Sequence, residues 1–209
     1  MKKKNLLRFS VLILFLSFLF FLILVSLNYF NRLDIQTTEI LQQTIPRYLD
    51  MPFSLFSLIG SFEIVLITIL ILWAIKKKLN YFYVLVSFGF FHFAEIIGKL
   101  FVNHPNPPFK FFRYDIPFSM PSSGVNTGSS FPSGHMGRTV FLSIIFAFMI
   151  YHSRRFSNTQ KKLFYCFIAF IALLMFVSRI YLGEHWLSDV IGGSILGLAF
   201  GVMSVALVF

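Results

Sequence analysis

The chain has 209 residues, of which 57% are hydrophobic and 12% charged, and thirty are Phe. An average globular protein carries roughly 45–50% apolar and about 25% charged residues, and a particle this small leaves a large share of its residues facing water. These proportions exclude a soluble globular domain. They equally exclude a long disordered segment, which requires low hydrophobicity. The net charge of +10 arises from 18 Lys and Arg against eight Asp and Glu. The basic residues stand in short clusters beside apolar runs, a pattern of membrane orientation rather than of a nucleic-acid partner. The single cysteine, Cys166, lies inside an apolar run; an intramolecular disulfide is impossible and no Cys/His metal framework exists.

Six apolar runs are read as membrane helices: residues 9–29, 55–75, 79–97, 137–151, 163–180 and 186–209. The expected fold class is therefore all-α, an integral-membrane bundle of six helices forming one domain over residues 1–209. The first run follows Lys2, Lys3 and Lys4, as in a signal peptide, but its apolar core over 11–27 is longer than a signal segment and no small-x-small site follows. It reads as an uncleaved helix. The basic residues set the orientation. With a cytoplasmic N-terminus, alternation places Lys2, Lys3, Lys4 and Arg8, then Lys76, Lys77 and Lys78, then Arg154, Arg155, Lys161 and Lys162 inside, with no acidic residue among them. All eight acidic residues fall in the opposite half, so both termini are expected in the cytoplasm, across a bacterial inner membrane. Outside stand a polar segment over 31–54, a Pro-, Ser-, Gly- and Asn-rich loop over 102–133 too long for an ordinary connection, and a short join at Leu182-Gly183-Glu184.

Ionisable residues at the ends of membrane helices are functional candidates, and here they gather at the outer ends of four consecutive helices. His92, Glu95 and Lys99 follow one helix face at i, i+3 and i+7. Phe131-Pro132-Ser133-Gly134-His135 opens the fourth helix, with Arg138 one turn on. Ser178-Arg179 ends the fifth, and His185 with Asp189 four residues later opens the sixth. At that spacing the carboxylate can fix one nitrogen of the His185 ring and leave the other as nucleophile or base. Taken alone, the pair is more often a capping or packing histidine beside a surface aspartate. Ser133-Gly134 at a helix start offers free N–H groups and a hydroxyl to an anion such as phosphate, although Pro and Ser also cap many ordinary helices. Arg179 and Lys99 bring permanent charge to the same depth, with interfacial snorkelling, or for Lys99 a pair with Glu95, as the plain alternatives.

Together these residues point to one chemistry. Two histidines, an aspartate, two cations and an anion-ready helix start converge on one face of the membrane, and the acidic residues are too scattered to form a zinc or magnesium cage. Such a site suits phosphoryl transfer through a phosphohistidine without a metal or other cofactor: one His attacks phosphorus, the other protonates the leaving oxygen, and the cations hold the spreading charge.

The residues resemble the type 2 phosphatidic acid phosphatase (PAP2) superfamily of integral-membrane lipid phosphatases. That family's pattern is Lys-x6-Arg-Pro, then Pro-Ser-Gly-His, then Ser-Arg-x5-His-x3-Asp. The second motif is complete at Pro132-Ser133-Gly134-His135, and the third runs complete from Ser178-Arg179 through His185 to Asp189. The first is degenerate: Lys99 is present, but Asn106 stands before Pro107 where the family has Arg, so the site is one cation short. Arg113, in the same loop, is the preferred compensating cation, with Arg138 as runner-up. The resemblance implies His185 as nucleophile, Asp189 as its orienting partner and His135 as general acid. It implies Lys99, Ser133, the Gly134 backbone and Arg179, with Asn106, as the phosphate holders. His104, inside the degenerate motif, would be structural or a minor substrate contact. His92 and Glu95 would orient Lys99. The expected activity is hydrolysis of a lipid phosphate or diphosphate at the outer leaflet, the lipid being of undecaprenyl diphosphate, phosphatidic acid or phosphatidylglycerophosphate type. A lipid phosphotransferase using the same phosphohistidine, or a non-catalytic lipid-binding protein, are the alternatives. Gly193, Gly197 and Gly201 allow close helix approach in lipid, inside the monomer or in a homodimer.

Overall fold

The computed structural model describes residues 2–76, 81–117 and 128–208, with side chains from Asn5 onward. Lys77, Lys78 and Leu79, the middle of the 102–133 loop and Phe209 lie outside the described residues. The described residues form eight α-helices and no strand: α1 (Lys2–Ser26), α2 (Asn31–Thr44), α3 (Asp50–Ser57), α4 (Phe62–Lys76), α5 (Phe82–Phe101), α6 (Gly134–His152), α7 (Asn158–Tyr181) and α8 (Leu187–Val208). Five of them, α1, α5, α6, α7 and α8, are long and apolar enough to cross a membrane. The segment Arg47–Gly60 and α4, bent by 45° to one another, make a sixth when taken as one span. The chain is an all-α integral membrane protein, as expected.

Apolar character all round a helix is tolerated where the surroundings are lipid. In α1, Leu12, Leu16, Leu19 and Phe20 point outward, as do Phe167, Phe170 and Leu173 of α7. Helix α8 is the central element and packs against α6, α1 and α5. Its glycines make the α6 contact possible: a Cβ at Gly197 would collide with the carbonyl oxygen of Gly137, and one at Gly193 with that of Ser133. This small-residue stripe is used within the monomer. Around it Phe91 meets Phe200 edge to face, with centroids 6.0 Å apart, and Phe88, Phe131, Phe141 and Leu196 complete the core.

Four expectations are corrected. The first span ends at Ser26 rather than 29, because the chain turns at Asn28, whose φ is 60°. The fourth helix begins at Gly134, so the apolar run read from 137 starts inside it, with His135 and Arg138 in its first turns. The second span is not one helix. Ser61 adopts an extended backbone, and the break leaves the Gly60 carbonyl to accept a hydrogen bond from Arg138 Nε at 2.8 Å. Finally, the polar segment 31–54, for which no helix is expected, is largely helical. It holds α2, a helix with its polar face inward, where Asp34 and Thr38 are buried while Leu33, Ile35 and Ile40 are exposed. The reading for apolar runs passed over it because its apolar residues do not mark the packed side.

Candidate active site

The sequence brings the candidate residues to one end of the bundle through four helix termini. The end of α5 carries Lys99, the start of α6 carries Ser133, Gly134 and His135, the end of α7 carries Arg179, and the start of α8 carries Asp189. The α7–α8 join is fixed by Gly183 at φ 67°, where a Cβ would strike the Phe111 carbonyl. Beyond it the His185 N–H donates to the Arg179 carbonyl at 3.2 Å. Ser133 is tied to α8, its N–H donating to the Asp189 carbonyl at 3.0 Å.

His185 Nδ1 lies 3.5 Å from Asp189 Oδ2. Asp189 is fully buried and is held more tightly elsewhere: Oδ2 accepts from the Trp186 N–H at 2.8 Å, and Oδ1 lies 2.8 Å from His104 Nδ1. His185 stands outside the spanning helices. Burial, then the charges of Arg179 and Lys99, hold its pKa below the ordinary histidine value against the pull of Asp189. His135 is within electrostatic range of Arg179, Arg138, His185 and Lys99, so the two histidines and the cations share one neighbourhood.

The cations are arranged unequally. Glu95, buried in α5, binds Lys99 Nζ through Oε1 at 3.1 Å, and through Oε2 meets Arg138 NH1 at 2.9 Å and His92 Nδ1 at 3.0 Å. One carboxylate thus orders three basic groups, as expected of Glu95 for Lys99 but extending to Arg138. Arg138 is consequently a buried structural cation, committed to Glu95 and the Gly60 carbonyl. Arg113 is only partly committed: NH2 donates to the Gln42 carbonyl at 3.1 Å and its guanidinium lies 5.1 Å from the Tyr181 ring, while NH1 is buried with no hydrogen-bond partner among the described residues. Of the two compensating-cation candidates, Arg138 is thus spent on other partners and Arg113 keeps one unpaired donor. Asn106 is exposed and makes no side-chain hydrogen bond among the described residues. Arg179 pairs through NH2 with Glu184, while its Nε and NH1, with Ser133 Oγ, are buried and have no hydrogen-bond partner among the described residues. Among the described residues no group of three or more His, Cys, Asp or Glu side chains is arranged to hold a metal ion.

Asp34 escaped the sequence reading, and His104, expected to be structural or a minor substrate contact, turns out to be tied to Asp189. Asp34 of α2, 2% exposed, accepts from both the N–H and the hydroxyl of Ser188 at 2.8 Å, and its Oδ2 lies 3.7 Å from His104 Nε2. His104 itself is buried between Asp34 and Asp189 and is not a surface contact. A histidine one position before Pro105, inside a motif that otherwise carries cations, was the available signal. Asp34 offered none, since it meets its partner across 154 residues of chain.

The fold and site define an integral-membrane protein with a two-histidine, cation-lined polar centre at one end of its helix bundle. Residues 77–209 match the PAP2 superfamily, and the chain belongs to that family. Over 69 residues it is 39% identical to phosphatidylglycerophosphatase B of Bacillus subtilis (strain 168), a match spanning 33% of this chain and 34% of that one; the chain thus spans about a third of that relative's length. Its fold is similar to the crystal structure of a transmembrane PAP2-type phosphatidylglycerolphosphate phosphatase from Bacillus subtilis, with a TM-score of 0.75, 24% identity and 93% of each chain covered. It is also similar to that of Aquifex aeolicus LpxE, with a TM-score of 0.61, 22% identity and 83% of this chain and 94% of that one covered.

Proposed function

We propose that this protein is a metal-independent lipid phosphatase working through a phosphohistidine on His185, at the outer face of the membrane, with a phosphatidylglycerophosphate-type monoester as first substrate class. The observation that carries the reading is the set of buried donors with no hydrogen-bond partner among the described residues, Arg179 Nε, Arg179 NH1 and Ser133 Oγ, beside two histidines. Buried donors left unpaired are costly, and phosphate oxygens are their natural acceptors. The substrate class is taken from the names of the relatives. The outward face rests on the basic clusters, which lie at the helix ends opposite the site.

In this mechanism the free ring nitrogen of His185 attacks phosphorus. The phosphorus–ester oxygen bond breaks as the nitrogen–phosphorus bond forms, and His135 gives its proton to the departing alcohol. Water then attacks phosphorus, passes a proton to His135, and the nitrogen–phosphorus bond breaks to release inorganic phosphate. Arg179, Ser133 and the helix start at Gly134 hold the equatorial oxygens throughout, where charge spreads. Asp189 orients the attacking ring.

The test is phosphate release in detergent, with chelator present, from phosphatidylglycerophosphate, phosphatidic acid and undecaprenyl diphosphate. Wild type, His185→Ala and His135→Ala are compared. Release that both substitutions abolish supports the reading, and the preferred lipid names the substrate. Release unaffected by His185→Ala would sink it. Phosphate transferred only when a lipid alcohol is added would make the protein a transferase.

A further inference from the structure

His104 is an imidazole with a carboxylate at each ring nitrogen. Nδ1 lies 2.8 Å from Asp189 Oδ1 and 3.2 Å from Ser130 Oγ, and Nε2 lies 3.7 Å from Asp34 Oδ2, with the residue 3% exposed. At 2.8 Å Nδ1 is within hydrogen-bond reach of Asp189, while at 3.7 Å Nε2 makes an ion-pair contact with Asp34, and two buried carboxylates facing one ring are costly unless a cation lies between them. The arrangement joins elements far apart in sequence. Helix α2 supplies Asp34, which is itself locked by two hydrogen bonds from Ser188 at the start of α8, the loop after α5 supplies His104, and α8 supplies Asp189.

We propose that His104, held as a cation between Asp34 and Asp189, is a positioning residue for phosphoryl transfer that fixes the Asp189 carboxylate and draws its charge away from His185, leaving the His185 ring unprotonated for attack. The inference rests on the phosphohistidine reading. The geometry carries it: the Asp189 carboxylate serves two histidines at unequal distances, 2.8 Å to His104 and 3.5 Å to His185. Burial pulls the His104 pKa down, but the hydrogen bond with Asp189 and the charges of Asp189 and Asp34 outweigh it, and the net displacement is upward. The charged and titratable groups that face His104 are these two carboxylates; those that face His185 are Asp189, Arg179, Lys99 and His135. His104 does not replace the missing first-motif cation, because its charge is spent on carboxylates rather than on substrate.

The assignment predicts a pH signature that a merely structural residue would lack. His104→Asn keeps a donor toward Asp189 but removes the charge, so Asp189 acts on His185 at full strength and the His185 ring holds its proton to higher pH. The full-length protein, labelled with 15N in its histidine rings, is titrated in detergent micelles as wild type, His104→Asn and Asp34→Asn, and phosphate release from a short-chain phosphatidic acid is followed over the same range. In H104N the His185 midpoint rises by about one pH unit, the shift typical of an uncompensated nearby carboxylate. The acid limb of kcat/KM moves with it, giving a loss that approaches about tenfold well below both midpoints and disappears by about pH 9. In D34N the His104 midpoint falls by about one unit for the same reason. An unmoved His185 titration in H104N, or an activity loss equal at every pH, overturns the assignment. Should H104N not fold, D34N carries the test, and an unmoved His104 midpoint there overturns it. Absence of phosphate release by wild type would instead defeat the phosphatase reading, and the ring titrations alone would then decide whether His104 governs His185.

Discussion

The Glu95 carboxylate occupies the space into which a side chain at residue 134 would project: a Cβ there would overlap the Glu95 carboxylate and stand 2.7 Å from Arg138 NH1. Glycine at this position therefore lets the helix start at Gly134 approach a buried ion-pair cluster, in addition to leaving its backbone open to an anion. Gly134→Ala should push Glu95 off Arg138 and Lys99 and misplace the phosphate-binding turn. We expect roughly a hundredfold loss of kcat/KM, as a displacement of about 1 Å near the chemistry produces, together with a lowered thermal inactivation temperature. Near-wild-type kinetics in the purified variant would show that the turn tolerates the shift.

Arg138 and Arg113 give opposite expectations although both were candidates for the same role. Arg138 neutralises Glu95 deep in the bundle, so Arg138→Met leaves a buried carboxylate short of a partner and should destabilise the protein by about 3 kcal/mol, the lower end for breaking a buried pair. Arg113 lies against Tyr181 and the Gln42 carbonyl, at the rim. Arg113→Ala should cost about 1 kcal/mol, in the range of a cation–π contact, and keep kcat/KM within about threefold of wild type, under 1 kcal/mol in barrier. Thermal inactivation and steady-state rates on the same preparations separate the two. A collapse of activity in the Arg113 variant with stability intact would restore it as a phosphate ligand.

What the sequence disclosed follows from range. His185 and Asp189, or Ser133, Gly134 and His135, sit within one or two helical turns, where spacing alone fixes which side chains meet. Glu95 and Lys99 were legible as neighbours for the same reason. The commitment of Arg138 to Glu95 depends on how α6 lies against α5, and spacing along one helix carries no such information. Helix α2 was hidden by its inverted pattern: Asp34 and Thr38 face inward, so the usual link between apolar periodicity and burial fails. The break at Gly60 and Ser61 was hidden too, because the apolar run continues through it and only the Arg138 hydrogen bond gives it a purpose.

His104 and His185 should drive stability in opposite directions with pH. His104 has a folded pKa raised above its unfolded value, since Asp189 and Asp34 outweigh burial. Its contribution is fully present below the unfolded value of about 6.5 and is lost as pH rises through the folded value. His185 has a folded pKa lowered by burial and by Arg179 and Lys99. It destabilises as pH falls below about 6.5, because the unfolded chain takes up a proton that the fold resists. Thermal inactivation of wild type should therefore worsen on both sides of this value. His104→Asn should flatten the alkaline side and, because the His185 midpoint rises with it, soften the acid side as well, whereas His185→Asn should flatten the acid side. An alkaline side left unchanged by His104→Asn, or an acid side left unchanged by His185→Asn, would contradict the charge assignments.

The glycines of α8 provide a test of where the small-residue stripe is used. A Cβ at Gly197 meets the backbone of Gly137, whose carbonyl cannot move without shifting α6. A Cβ at Gly201 meets the Cβ of Ile144 at 2.9 Å, a gentler overlap than the 2.3 Å to the Gly137 carbonyl oxygen at Gly197. Gly197→Ala should therefore destabilise by about 3 kcal/mol and Gly201→Ala by about 1 kcal/mol, the two ends of the overpacking range. Gly193→Ala belongs with the first by geometry, since its Cβ would strike the Ser133 carbonyl, and it should also lower phosphate release because Ser133 would move. If the stripe serves packing inside one chain, all three lose stability without any change in oligomeric state, read by light scattering of the detergent complex. A dimer that dissociates in Gly197→Ala while the monomer keeps its inactivation temperature would place the stripe at a subunit contact instead.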